Sequence, residues 1–130
     1  MATWSEVQKY VRQNYQVNRE PEDDLMVLTF QTTPGRDQQV FVGHLTSGGG
    51  REWVRFASVV GEIRRIDLVR ALQLGSEKIA CGLEQIGDLV AVVHYQLLAT
   101  VDGPEIDLGL VLAASNGDDL ERALVGGDTY

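Results

Sequence analysis

The side chains best suited to covalent chemistry in this sequence are Cys81 and His94, which flank the dipeptide Gly87-Asp88. Gly-Asp between two apolar runs is typical of a two-residue hairpin turn, and pairing outward from it sets Cys81 opposite His94. A thiolate beside an imidazole is the start of a nucleophilic site, but such a site also needs an orienting group and an oxyanion donor. The sequence places neither, so the simpler interpretation is a half-buried cysteine beside a strand histidine.

Glu84 is the one acidic residue in the strands of the same predicted hairpin, opposite Ala91. A carboxylate serves acid–base catalysis when an apolar pocket raises its pKa, but a strand glutamate more often faces water or pairs with an arginine such as Arg55. Two ligands are too few for zinc, and no nucleotide-binding or hydrolase motif occurs. We therefore predict no catalytic, cofactor-binding or metal site. The alternative is a small enzyme or ligand-binding domain that uses Cys81, His94 and Glu84.

Composition and charge restrict the class of partner. The chain has 130 residues, with 11 Lys and Arg against 19 Asp and Glu and a net charge of −8. This length predicts one domain over residues 1–130. The negative charge argues against nucleic acid and against anionic membranes, and no apolar run reaches the roughly 18 residues that span a bilayer. A single cysteine and the absence of a signal-peptide pattern predict a cytoplasmic, bacterial-type protein.

The hairpin from Ile79 to Leu98 is predicted to form the centre of a sheet. In the register set by its turn, Ile86 faces Leu89 and Gly82 faces Val93. One face of the second strand is apolar throughout, and consists of Leu89, Ala91, Val93, Tyr95 and Leu97. The other face begins apolar at Val90 and Val92 and turns polar at His94 and Gln96. This pattern indicates an antiparallel sheet with helices on one side.

The other elements follow from caps and periodicity. Thr3-Trp4-Ser5-Glu6 is a capping box that opens a helix to about Tyr15, and Asp102-Gly103-Pro104-Glu105 opens the last helix. Residues 19–24 are predicted to be a polar connector. Strands are predicted over 25–32, 40–45 and 52–60, before the hairpin. The resulting order is α-β-β-β-α-β-β-α, an α+β two-layer sandwich with a five-stranded antiparallel sheet.

A short helix over Leu68 to Leu74 is predicted between Asp67 as N-cap and Gly75 as terminator. It is apolar on nearly all sides, so one side must meet the sheet and the other a second surface. We therefore expect a homodimer that uses Leu68, Val69 and Leu72. Trp53 and Phe56, on opposite faces of their strand, are the candidates for a patch that binds another partner.

Three stretches resemble the YbjN-like family, whose fold is similar to that of type III secretion chaperones. They are 52–61 (EWVRFASVVG), Gly82-Leu83 with Gly87-Asp-Leu-Val90, and 118–130 (DDLERALVGGDTY). The resemblance implies a two-layer α/β domain, commonly homodimeric, that handles other polypeptides without a cofactor.

The predicted function is a non-enzymatic protein-binding module, a chaperone-like homodimer that handles an unidentified polypeptide client. Besides the small enzyme or ligand-binding domain, a structural subunit of a larger complex is the other alternative.

Overall fold

The computed structural model describes residues 3–125, which form three helices and six strands. In chain order these are α1 (Trp4–Asn14), β1 (Val17–Glu22), β2 (Leu25–Thr33), β3 (Arg36–Thr46), β4 (Glu52–Glu62), α2 (Leu68–Gly75), β5 (Gly82–Ile86), β6 (Leu89–Leu97) and α3 (Gly103–Leu124). Within residues 3–125, no helix combines the length and the apolar character needed to cross a membrane.

The helix starts form as their sequences predict. The hydroxyl of Thr3 accepts from the amide of Glu6 at 3.2 Å and opens α1. Asp102 and Glu105 form a full capping box at α3, because each side chain accepts from the other residue's backbone amide, at 2.9 and 3.2 Å. Asp67 caps α2 through the amide of Arg70. These bonds satisfy amides that have no partner within the helix.

All strands of the sheet pair antiparallel, in the spatial order β1-β2-β3-β4-β6-β5. The prediction of five strands was wrong, and so was the order α-β-β-β-α-β-β-α, because residues 17–22 form a sixth strand where a polar connector was expected. This strand, β1, pairs only with β2, and all but its first residue are exposed. Charged side chains and Pro21 are tolerated there because an edge strand has one free side.

The β5–β6 hairpin has the predicted register, but the prediction that it forms the centre of the sheet was wrong, because β5 is an edge strand. Gly82 pairs with Val93, Glu84 with Ala91 and Ile86 with Leu89. Gly87 in the turn has a φ of 61°, which glycine adopts without steric cost.

The helices lie on the Val90–Val92 face of β6, and the apolar face of Leu89 to Leu97 points away from them. A Cβ added to Gly109 of α3 would lie 2.5 Å from the ring of Phe56, and one on Gly117 would lie 2.6 Å from Ser58 Oγ. Phe56 is the Cα partner of His94, so both point toward α3. The two glycines let α3 approach this face closely. Among residues 3–125, the buried cluster on the opposite face consists of strand residues only, Ala57, Ala91 and Val93.

Candidate protein-binding surfaces

The helix-free face carries an apolar band across five strands, interrupted by the charged pair Arg55 and Glu84. Antiparallel partners share a face, so the pairs Val27–Phe41, Phe41–Ala57, Ala57–Val93 and Ile86–Leu89 extend the band from β2 to β5. Ala57, Ala91 and Val93 form a small buried cluster there, with Phe41 and Ile86 packed against it.

A hollow of about 210 Å³ lies in the middle of the helix-free face. Its lining consists of Leu25, Phe41, Arg55, Ala57, Val59, Ile86, Leu89 and Ala91. The alanines are only 2% and 0% exposed, whereas Phe41, Ile86 and Leu89 are half-buried. Small residues at the floor and large ones at the rim produce the hollow. Since a cavity of about 150 Å³ accepts a benzene ring, the hollow has room for one bulky apolar side chain.

A second, shallower cleft of about 410 Å³ lies on the same face and is lined by Leu45, Thr46, Ser47, Trp53 and Tyr95. The indole Nε1 of Trp53 donates to Ser47 Oγ at 3.0 Å, which orients the ring. We call it the Trp53 cleft. Trp53, one of the two predicted partner-binding residues, is half-buried at the surface and lines this cleft.

Phe56 lies in the core. Its side chain is fully buried under α3, so the prediction that it contributes to a partner-binding patch is corrected. Phe56 and Trp53 point to opposite faces of β4, and only Trp53 points to the face that no helix covers.

Arg55, Glu84 and Tyr95 form a polar group between the hollow and the Trp53 cleft. Arg55 Nη1 lies 3.4 Å from Glu84 Oε2, and the Tyr95 hydroxyl donates to Glu84 Oε1 at 2.8 Å. The pKa of Tyr95 is raised, first by burial and then by its bond to the Glu84 carboxylate, while Arg55 opposes the shift. Glu84 therefore pairs with an arginine, the simpler of its two predicted arrangements.

Cys81, His94 and Glu84 do not form one site. His94 Nδ1 lies 2.7 Å from the carbonyl oxygen of Ala80, which can only accept, so Nδ1 carries the proton. His94 Nε2 then accepts from the amide of Gln96 at 3.0 Å. Both ring nitrogens are thus occupied, and Nδ1 fixes the backbone before β5, where Ala80 has a positive φ of 63°.

The thiol of Cys81 accepts from the Asn116 amide at 3.3 Å, on the helix side of the sheet. Glu84 lies on the helix-free side. The alternative of a shared Cys81–His94–Glu84 site is therefore corrected, because the sheet separates its members. Within residues 3–125, no three His, Cys, Asp or Glu side chains are grouped to hold a metal ion.

The helix α2 presents the apolar residues that were predicted to form a dimer interface. Leu68, Val69 and Leu72 are 44%, 66% and 64% exposed, while Ala71 is buried against the domain. A groove of about 180 Å³ separates α2 from β5, and its lining includes Ile63, Leu68, Leu72 and Leu83. An apolar ridge thus lies beside an apolar groove.

Sequence reasoning missed the hollow, although it had assigned its residues to strands. The signal that could have found it is the pair of small residues, Ala57 and Ala91, on neighbouring strands and the same face. Reading that signal requires knowing that β4 pairs with β6, which β5 and α2 separate in the chain.

No protein-family model matches the chain, and no curated protein matches it. Among solved structures, the chain is similar to one from the crystal structure of the ExsC–ExsE complex, with a TM-score of 0.62 and 13% sequence identity. The likeness covers 95% of this chain and 97% of that one. At this identity it shows the fold alone: an α+β domain with an antiparallel sheet and helices, in agreement with the predicted chaperone-like fold.

Proposed function

We propose that this protein is a non-enzymatic, chaperone-like protein-binding module that receives a polypeptide client on its helix-free face. The observation that carries the proposal is the uncovered apolar band with its hollow and Trp53 cleft. Apolar side chains that neighbouring strands place on one face are normally buried against another layer. An uncovered, concave apolar surface is typical of a site for a partner.

The fold comparison supports a protein as the partner. The similar solved chain was crystallised in a complex of ExsC with ExsE. By analogy, we propose that this chain also binds a protein. We further propose that it belongs to the YbjN-like family and that it is cytoplasmic. The occupied nitrogens of His94 and the pairing of Glu84 with Arg55 also favour binding over catalysis.

The test is selection of a displayed random-peptide library on the purified protein. We expect enriched peptides to bind wild-type protein and to lose about tenfold or more in affinity to Trp53→Ala, because aromatic anchors dominate such interfaces. Tyr10→Phe is the matched control, since it alters an aromatic residue on α1. Failure to enrich any peptide, or equal binding by Trp53→Ala, would refute the helix-free face as the client site.

We further propose that the protein is a homodimer that uses Leu68, Val69 and Leu72. The ridge of α2 and the adjacent groove are what a two-fold contact requires, because one patch must fit a second copy of itself. Charge supports this choice. Residues 63–86 contain four basic and three acidic residues, a net charge of +1, in a chain of net charge −8. Two copies can therefore approach there with little repulsion.

Light scattering coupled to size exclusion over a dilution series tests the dimer. We expect about twice the chain mass of 14.3 kDa for wild-type protein and a folded monomer for Leu72→Glu. Val111→Glu is the matched control, because Val111 is 57% exposed on α3. A dimer that persists in Leu72→Glu but is lost in Val111→Glu would move the interface to α3. Co-purification of this protein with a fixed set of other proteins would favour the alternative that it is a structural subunit of a larger complex.

A further inference from the structure

We propose that the occupant of the helix-free face is an amphipathic helix of a partner polypeptide, with two bulky apolar anchors seven or eight residues apart and a basic polar face. This inference rests on the proposed function and specifies its client. The hollow takes one anchor and the Trp53 cleft takes the other.

The backbone of the sheet favours a helix over an extended segment. β2, β3, β4 and β6, which carry most of the band, each pair with a strand on both sides. Outside the irregularities of the β1–β2 and β4–β6 pairings, their backbone donors and acceptors are therefore used, and these strands offer no free edge to an incoming strand. A segment that docks on this face must satisfy its own backbone groups, and a helix does so internally.

The spacing of the two depressions matches two helical turns. Three strands each contribute one residue to the hollow and another, four positions away, to the Trp53 cleft. These pairs are Phe41 and Leu45, Ala57 and Trp53, and Ala91 and Tyr95. Four residues of a strand span about 13 Å, and eight residues of a helix rise about 12 Å. A helix lying along the strands can therefore place side chains i and i+7 or i+8 in the two depressions.

The shape of the face also suits a helix with large side chains. On the opposite face of the sheet, the large side chain of Phe56 packs against Gly109 of α3. On the helix-free face this relation is reversed, since the sheet presents Ala57 and Ala91 at the floor of the hollow. Complementary packing then requires the incoming helix to supply the bulk.

Charge favours basic residues on the exposed side of the docked helix. The chain carries a net charge of −8. Beyond Ile86 and Leu89, the hollow adjoins a depression whose charged residues are Glu62, Asp88 and Arg64. A partner with lysine or arginine on its exposed face is attracted to such a protein, whereas an acidic one is repelled.

The test compares two synthetic, fluorophore-labelled peptides of identical Leu, Lys and Gln composition and about 18 residues, long enough for five helical turns. One places leucine at helical spacing, and the other alternates leucine with polar residues as a strand does. We expect fluorescence anisotropy to show binding of the first peptide and at least about tenfold weaker binding of the second.

Variants locate the binding without changing the charge. Ala57→Leu fills the hollow, and Trp53→Ala removes a wall of the cleft; each is expected to weaken the helical peptide by about tenfold, as loss of an anchor site does. Val111→Ser on α3, at a side chain that is 57% exposed, is the control and should bind as wild type. Circular dichroism confirms that each variant is folded, and Trp53→Ala keeps the test valid if Ala57→Leu does not fold.

Several results would overturn the inference. If the alternating peptide binds better and Ala57→Leu weakens it, the face binds an extended client, so the proposed function stands and the helical occupant does not. If neither peptide binds, the inference fails, and the library selection decides the proposed function separately. If the helical peptide binds all variants alike, its binding is not on this face. A change of oligomeric mass in Ala57→Leu would show a second copy as the occupant.

Discussion

Replacing Gly109 with alanine tests whether α3 covers the Phe56 face as closely as the structure indicates. In an exposed helix interior this substitution stabilises a protein by about 1 kcal/mol. Here the added Cβ would meet three ring atoms of Phe56 at 2.5, 2.6 and 2.8 Å. Since carbon atoms pack at about 3.5–4.0 Å, either the ring or the helix must move by about 1 Å.

The expected change in the free energy of unfolding is the difference between two opposing effects. Overpacking a core costs about 1–3 kcal/mol, and Phe56 is fully buried, so its ring has no free space to enter. Subtracting the gain in helix propensity leaves a net loss of about 0–2 kcal/mol. At roughly 3 °C per kcal/mol for a chain of this size, the melting temperature should fall by up to about 6 °C.

The assay is urea unfolding followed by circular dichroism, with a double-mutant cycle against Phe56→Leu. In the Phe56→Leu background the smaller side chain leaves room for the Cβ, so Gly109→Ala should become neutral or stabilising by up to about 1 kcal/mol. A stabilising effect of Gly109→Ala in the wild-type background would refute the close approach, and with it the identity of the covered face.

Two further predictions concern polar groups that hold α1 and α3 in place. Arg36 Nε lies 2.8 Å from Asp118, whose carboxylate is buried. In urea unfolding, Arg36→Met should lower the free energy of unfolding by about 2–4 kcal/mol, and Arg36→Lys should recover part of this loss. An unchanged free energy of unfolding in Arg36→Met would contradict the pairing. The hydroxyls of Tyr10 and Tyr15 both donate to Asp107. Burial, and then these bonds, raise the pKa of both phenols. Above about pH 10 the folded state therefore binds more protons than the unfolded state, and stability should fall as pH rises. The Tyr10→Phe/Tyr15→Phe double variant should show a shallower fall between pH 9 and 11, and parallel curves would contradict this cause.

Local signals in the sequence were sufficient to predict the helix starts and the register of the β5–β6 hairpin, but not its place at the end of the sheet. The bond from the Glu6 amide to Thr3 and the pairing of Ile86 with Leu89 depend on neighbours a few residues away in the chain. β1 could not be predicted in this way, because an exposed edge strand carries no alternating apolar pattern and Pro21 argues against a strand.

The covered face could not be predicted from apolar content. The Leu89 to Leu97 face is the more continuously apolar one, yet α3 packs on the face of Val90 and Val92. The position of α3 depends on Gly109 and Gly117, which match Phe56 and Ser58 across the interface. This match depends on two segments that are far apart in the sequence. For the same reason the sequence could not show that Phe56 is buried under α3 while Trp53 lies at the surface.

The most direct test of the helix-free face as the client site is a methyl NMR titration of protein labelled at alanine methyl groups, using the tightest peptide from the library selection. The two faces of the sheet carry their own reporters. Ala57 and Ala91 lie at the floor of the hollow, whereas Ala113 and Ala114 are buried on the helix side and Ala71 lies on α2. We predict that the methyl resonances of Ala57 and Ala91 shift with saturation while those of Ala71, Ala113 and Ala114 stay in place. Shifts at Ala71, or at Ala113 and Ala114, with Ala57 and Ala91 unmoved would contradict the account.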